Sequence, residues 1–227
     1  SSSSCGICRR LCSFEAISFD EDVYTVDPLK CEGCGVCEWF CPKRAITLHP
    51  KNSGKWFVSD TPYGLMVHAK LGVAEENSGK LVSRVREEAH KLAADTNAEL
   101  ILVDGPPGTG CPAIAALTGA DLILLVTEPT VSGLHDTRRI IDLTCHFGIP
   151  TLVCINKWDL NKKTAEQLEE LAGEFNLGVA GRISYDRGFL EAQIQQRPLV
   201  EVERNGCSRG SRETWGRVRR VLEMLED

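Results

Sequence analysis

Residues 100–128 read Leu-Ile-Leu-Val-Asp-Gly-Pro-Pro-Gly-Thr-Gly-Cys-Pro-Ala-Ile-Ala-Ala-Leu-Thr-Gly-Ala-Asp-Leu-Ile-Leu-Leu-Val-Thr-Glu, and this stretch sets the fold class. Leu100 to Val103 and Leu122 to Val126 are apolar runs of strand length, with an apolar helix over Ala113 to Leu117 between them. A third run, Leu152 to Ile155, stops at Asn156. Farther out, Leu81, Val82, Val85, Ala89 and Leu92 recur at spacings of three and four, as do Ala165, Leu168, Leu171, Ala172 and Phe175. Strands alternating with helices predict an α/β fold, a parallel sheet with helices on both faces. Such sheets take ligands beyond the carboxyl ends of their strands, so the residues after each run are the candidate site.

Asp104 closes the first run and is followed by Gly105-Pro106-Pro107-Gly108, the arrangement by which a Walker B carboxylate reaches the magnesium shell of a nucleotide. A strand-ending Asp with a Pro-Gly turn is the plain alternative. The third run leads into Asn156-Lys157-Trp158-Asp159, whose amide and carboxylate suit the edge of a purine, or else a turn and helix cap. The same four residues fit the guanine-reading motif of GTPases, but three residues separate Asp104 from Gly108 where a GTPase has two, which favours ATP. No phosphate cradle is found: Gly72 to Lys80 has six residues between its glycines, and Leu81 stands where a P-loop needs Ser or Thr. Ser78-Gly79-Lys80 reads instead as a helix start.

Seven of the 11 cysteines fall in the first 41 residues. Cys31, Cys34, Cys37 and Cys41-Pro42 have the spacing of the bacterial ferredoxin run, in which three thiolates serve one cluster and the fourth crosses to the other. Zinc ribbons use two separated Cys-x-x-Cys knuckles and fit less well. An upstream copy, Cys5, Cys8 and Cys12, repeats the pattern, with Ser2 where its first ligand belongs. The crossing rule gives one complete 4Fe-4S site, Cys12, Cys31, Cys34 and Cys37. It leaves Cys5, Cys8 and Cys41 for a second site, whose fourth ligand is either lost by truncation or absent from a cluster that holds three irons or is labile. Composition changes near Pro50 to Gly54, so a cysteine-rich domain over 1–50 and an α/β domain over 51–227 are expected.

The net charge of −6 argues against nucleic acid as a partner. The longest apolar runs are five residues, far below the ~18 of a membrane span, and Ser1 to Ser4 begin no secretory signal. A cytoplasmic location is expected. Cys111 beside the apolar helix reads as core, a cluster ligand in a dimer being the lesser alternative. The segment from Arg204 to Arg220 is rich in arginine, with Trp215, Val218, Leu222 and Leu225 at helical spacing; it reads as a docked terminal helix with a solvated face, a membrane-binding helix being the lesser alternative.

Together with the cysteine runs, Glu75-Glu76-Asn77-Ser78-Gly79-Lys80-Leu81-Val82, Asp104 to Pro112, Glu128-Pro129-Thr130, Gly133-Leu134-His135-Asp136, Asn156-Lys157 and Ser184-Tyr185-Asp186 carry a resemblance. The chain resembles the MinD-superfamily P-loop ATPases that contain an inserted two-cluster ferredoxin domain. The resemblance implies ATP with Mg2+, a Walker B role for Asp104, a switch-like loop through Gly108 and adenine contacts by Asn156. It implies that the chain begins inside the insertion, the Walker A segment lying upstream. It also implies a homodimer or a pairing with a related ATPase, and a redox partner or cluster acceptor as the recipient of the output.

Overall fold

The computed structural model describes residues 5–31, 33–49, 54–72, 78–202 and 206–226. Two compact units divide between Glu76 and Asn77. The composition change at 50–54 is therefore not the boundary, because a hairpin beyond it belongs to the first unit. Ser2 and Glu75 to Asn77 lie outside the described residues.

The first unit contains α1 (Ile7–Leu11), β1 (Ile17–Asp20), β2 (Val23–Val26), α2 (Val36–Trp39), β3 (Gly54–Thr61) and β4 (Gly64–Leu71). Strands β1 and β2 pair antiparallel, Ile17 opposite Val26, around Glu21 and Asp22, whose φ of 46° and 62° give the twist a two-residue hairpin turn requires. Strands β3 and β4 form a longer antiparallel ribbon, Trp56 opposite Ala69 and Val58 opposite Val67.

The second unit contains α3 (Gly79–Thr96), α4 (Cys111–Leu117), β5 (Ile123–Thr127), α5 (Val131–His146), β6 (Thr151–Asn156), α6 (Lys162–Glu174), β7 (Gly178–Ile183), α7 (Gly188–Ile194), α8 (Leu199–Val202) and α9 (Gly206–Glu226). The sheet is parallel in the order β5-β6-β7. On one face Val153 and Ile155 of β6 meet Ala165, Leu168 and Ala172 of α6, and Leu125 of β5 meets Ile141 of α5 and Leu171, all buried. On the other face α9 lies against β7. A Cβ at Gly181 would collide with Thr214 Oγ1, and one at Gly210 would come within 2.8 Å of Arg182 O. Thr214, Ser208 and Val218 are buried there, which makes α9 the docked terminal helix the sequence predicts. Among the described residues no helix is long and apolar enough to cross a membrane.

Ser78 starts α3 as expected, its Oγ accepting the Leu81 N–H at 3.3 Å. Two expectations are corrected. Leu100 to Val103 is not a strand: no described strand pairs with it, and Leu100, Leu102 and Val103 stay 49%, 79% and 38% exposed. An apolar run becomes a strand only where a ladder accepts its backbone. Cys111 is exposed, not core. It opens α4, and its backbone is what packs, the Cβ position of Gly79 lying 3.0 Å from Cys111 O.

Candidate functional site

The cysteine repeat is a repeat in backbone geometry, with an offset of 29 residues from Cys12 to Cys41. Gly6 and Gly35 precede α1 and α2 with φ of 66° and 79°, a left-handed conformation natural to glycine. Arg10 N donates to Gly6 O at 3.1 Å, and Trp39 N to Gly35 O at 3.0 Å. After each helix, Glu15 (φ 51°) donates its N–H to Cys12 O at 3.3 Å, and Arg44 (φ 48°) to Cys41 O at 3.0 Å. These left-handed residues turn the chain so that Ala16 N donates to Cys12 Sγ at 3.4 Å and Ala45 N to Cys41 Sγ at 3.3 Å. Hydrogen bonds of this kind favour a thiolate over a thiol. The Ala45 N–H accordingly draws Cys41 below the ordinary thiol value, whereas burial pushes Cys37 up against the opposing backbone N–H of Glu38.

These residues fit an iron-sulfur cluster by donor chemistry. Cys5, Cys8, Cys12, Cys31, Cys34, Cys37 and Cys41 are all free of disulfides, and two of them carry backbone donors on sulfur. Among the described residues no three His, Cys, Asp or Glu side chains converge on one ion. A four-iron cluster asks for a different arrangement, one thiolate on each iron.

In the second unit the carboxyl ends of three strands are tied together. Lys157 Nζ, just past β6, lies 2.6 Å from Glu128 Oε1, just past β5. Asp159 Oδ1 accepts the Tyr185 N–H, beyond β7, at 2.7 Å. Asn156 Oδ1 accepts the Lys157 N–H at 3.1 Å, in a turn where Lys157 has φ 52°. Asn156 and Asp159 thus stand at one sheet edge. Asp104 and Gly108 lie in the irregular segment before α4, both exposed, Gly108 with φ 86°. The cap of α6 is Asn161, whose Oδ1 accepts the Thr164 N–H, not Asn156 or Asp159.

Sequence reading missed Glu128, Lys157 and Tyr185 as a network. Their types and positions were visible, but their partners depend on which strands neighbour one another. It also missed the buried Thr137 hydroxyl, which donates to Thr127 Oγ1 at 2.7 Å behind the end of β5.

The 4Fe-4S binding domain family matches residues 24–47. Uncharacterized protein MJ0578 of Methanocaldococcus jannaschii is 36% identical over 157 residues, 69% of this chain and 54% of the relative. Uncharacterized ATP-binding protein MJ0547 of the same organism is 26% identical over 161 residues, 69% of this chain and 60% of that protein. The chain therefore spans about half the length of the curated relatives it matches. Among solved structures, the MinD cell division protein of Aquifex aeolicus superposes with a TM-score of 0.53 at 24% identity, covering 73% of this chain and 68% of that one.

Proposed function

We propose that this chain, which joins a 4Fe-4S binding domain to the fold of MinD, is a cytoplasmic protein that couples ATP binding and hydrolysis to electron transfer or cluster handling. The observation that carries the reading is the doubled backbone geometry around Cys12 and Cys41, with an N–H on sulfur in each half. Cys12, Cys31, Cys34 and Cys37 hold a 4Fe-4S cluster. Cys5, Cys8 and Cys41 hold a second that has three irons or loses one readily. Bound clusters supply one-electron chemistry. The chain's own residues set its terms: the Ala45 amide stabilises negative charge on the Cys41 sulfur, and burial at Cys37 opposes it.

At the sheet edge, Asp104 serves the Mg2+ shell of ATP, Gly108 forms the moving loop, and the Asn156 amide reads adenine. Three residues separate Asp104 from Gly108 where a GTPase has two. That supports ATP over GTP. The output goes to a redox partner or cluster acceptor, and the chain pairs with a second copy or a related ATPase. A second reading, an electron carrier without turnover, rests on the ferredoxin run itself, Cys31, Cys34, Cys37 and Cys41, whose chemistry needs no nucleotide. Anaerobic reconstitution, iron counting and EPR with and without Mg-ATP separate the two. A nucleotide-dependent change in the cluster signal supports coupling, and an unchanged signal at saturating ATP supports the carrier.

A further inference from the structure

Lys157 is the pivot of the turn after β6. Its φ of 52° is left-handed, a conformation that strains any residue with a Cβ. Three contacts converge on it: its N–H donates to Asn156 Oδ1 at 3.1 Å, its carbonyl accepts the Leu160 N–H at 3.1 Å, and its Nζ lies 2.6 Å from Glu128 Oε1. The first two are made within the turn. The third comes from another strand. Downstream, Asp159 anchors the segment to the Tyr185 N–H, so the strained residue itself is left to Glu128.

Glu128 stands on a fixed base. Its carbonyl accepts the Thr130 N–H at 2.8 Å, Thr130 Oγ1 accepts the Gly133 N–H at 2.9 Å, and a Cβ at Gly133 would collide with Glu128 O. The start of α5 therefore clamps the backbone from which the carboxylate reaches out. What the turn presents is the Asn156 amide: its oxygen takes the Lys157 N–H, and its nitrogen donates to no described residue. Two N–H donors are left for an acceptor such as a purine ring nitrogen. Their aim depends on the Lys157 N–H, and so on Lys157 keeping its conformation.

We infer that Glu128 is a positioning residue for purine binding: through Lys157 it holds the left-handed turn from which Asn156 points its amide donors at the base. The inference rests on the reading of Asn156 as an adenine contact, and it adds the residue on a different strand that fixes that contact. The bridge is 38% and 44% exposed at its two ends, which makes it a weak interaction of about the size of one residue's left-handed strain. It is thus strong enough to bias the turn and too weak to matter to the core of Val153, Ile155 and Leu168.

The test titrates the full chain, isotope-labelled for NMR, with adenosine, a probe that needs no phosphate cradle, and follows the Asn156 side-chain amide. Expected is a saturable shift of that signal. Glu128→Ala should weaken adenosine about fivefold and move the Lys157 backbone carbon shifts away from left-handed values, with the urea midpoint of the second unit little changed. Adding Lys157→Gly, a residue at home in that conformation, should bring the affinity back to within about twofold of the native chain. Glu174→Ala, which removes the exposed bridge to Arg138 elsewhere in the unit, should leave it within about twofold. Unchanged affinity in Glu128→Ala, or a loss that Lys157→Gly does not recover, overturns the inference while the purine reading stands. An Asn156 amide that does not respond to millimolar adenosine in the native chain refutes the purine reading, and the inference with it.

Discussion

The Asp159 carboxylate accepts the Tyr185 N–H at 2.7 Å and so ties the segment after β6 to the segment after β7. Removing it in Asp159→Ala leaves that amide to water. The expected cost is about 1 kcal/mol, with a roughly tenfold loss of exchange protection at Tyr185 and a smaller loss in Asp159→Asn. Hydrogen exchange by NMR checks this, and an unchanged Tyr185 amide would contradict the tie. The example marks the limit of sequence reading at this scale. Asn156-Lys157-Trp158-Asp159 was legible as a purine reader or a turn, but its partner lies beyond the next strand, and nothing in the four residues says which neighbour the fold supplies. The cysteines were legible because ligand spacing is local chain geometry. Their division between clusters gives a second prediction: Cys12→Ala should cost the four tightly held irons, and Cys41→Ala should spare them. Iron counting after anaerobic reconstitution decides it; retention of the main cluster in Cys12→Ala would refute crossed ligation.

Helix α9 is held to β7 by closeness of backbone more than by apolar bulk, since Gly181 faces Thr214 and Gly210 faces Arg182 O with no room for a side chain. Gly181→Val should therefore destabilise the second unit by about 1–3 kcal/mol, read as a lower urea midpoint with unchanged slope. A neutral effect would mean that α9 is not seated there. Strands β5 and β6 and helices α3 and α6 follow the sequence because each has a partner that its periodicity anticipates. Leu100 to Val103 has the same apolar character and no described ladder partner, so its pattern alone does not make it a strand. The close fit of α9 was illegible for the opposite reason: glycine and threonine carry no hydrophobic signal, and their role appears only once two elements are side by side.

The whole chain joins two units of very different self-sufficiency. The second has a core around Val153, Ile155, Leu168 and Ile141, all buried. The 227 residues contain no sequence that can cradle phosphates, so by themselves they should turn over ATP negligibly, and the proposed hydrolysis should need a Walker A segment supplied to them; substantial turnover by the 227 residues alone that is abolished in Asp104→Ala would show a phosphate site elsewhere in them. In the first unit the buried hydrophobic residues among those described are Ala16 and Ile17, and the β3-β4 ribbon leaves Trp56, Phe57, Val58, Leu65 and Met66 exposed. A two-stranded ribbon is marginal in water, and a segment of this size without a core needs a metal or disulfide staple. Its cysteines are free, so the staple is the iron-sulfur centre, and the free energy of cluster binding is folding free energy. Stripping iron from the full chain with ferricyanide and EDTA should therefore unfold one unit and spare the other. Amides of residues 5–49 should exchange near unfolded rates, while those of β5, β6, β7 and α6 keep their protection and the second unit keeps its own melting transition. Persistent protection around Cys12 and Cys41 in the iron-free chain would mean that the repeat folds without its clusters, and simultaneous loss in both units would mean that the second depends on the first.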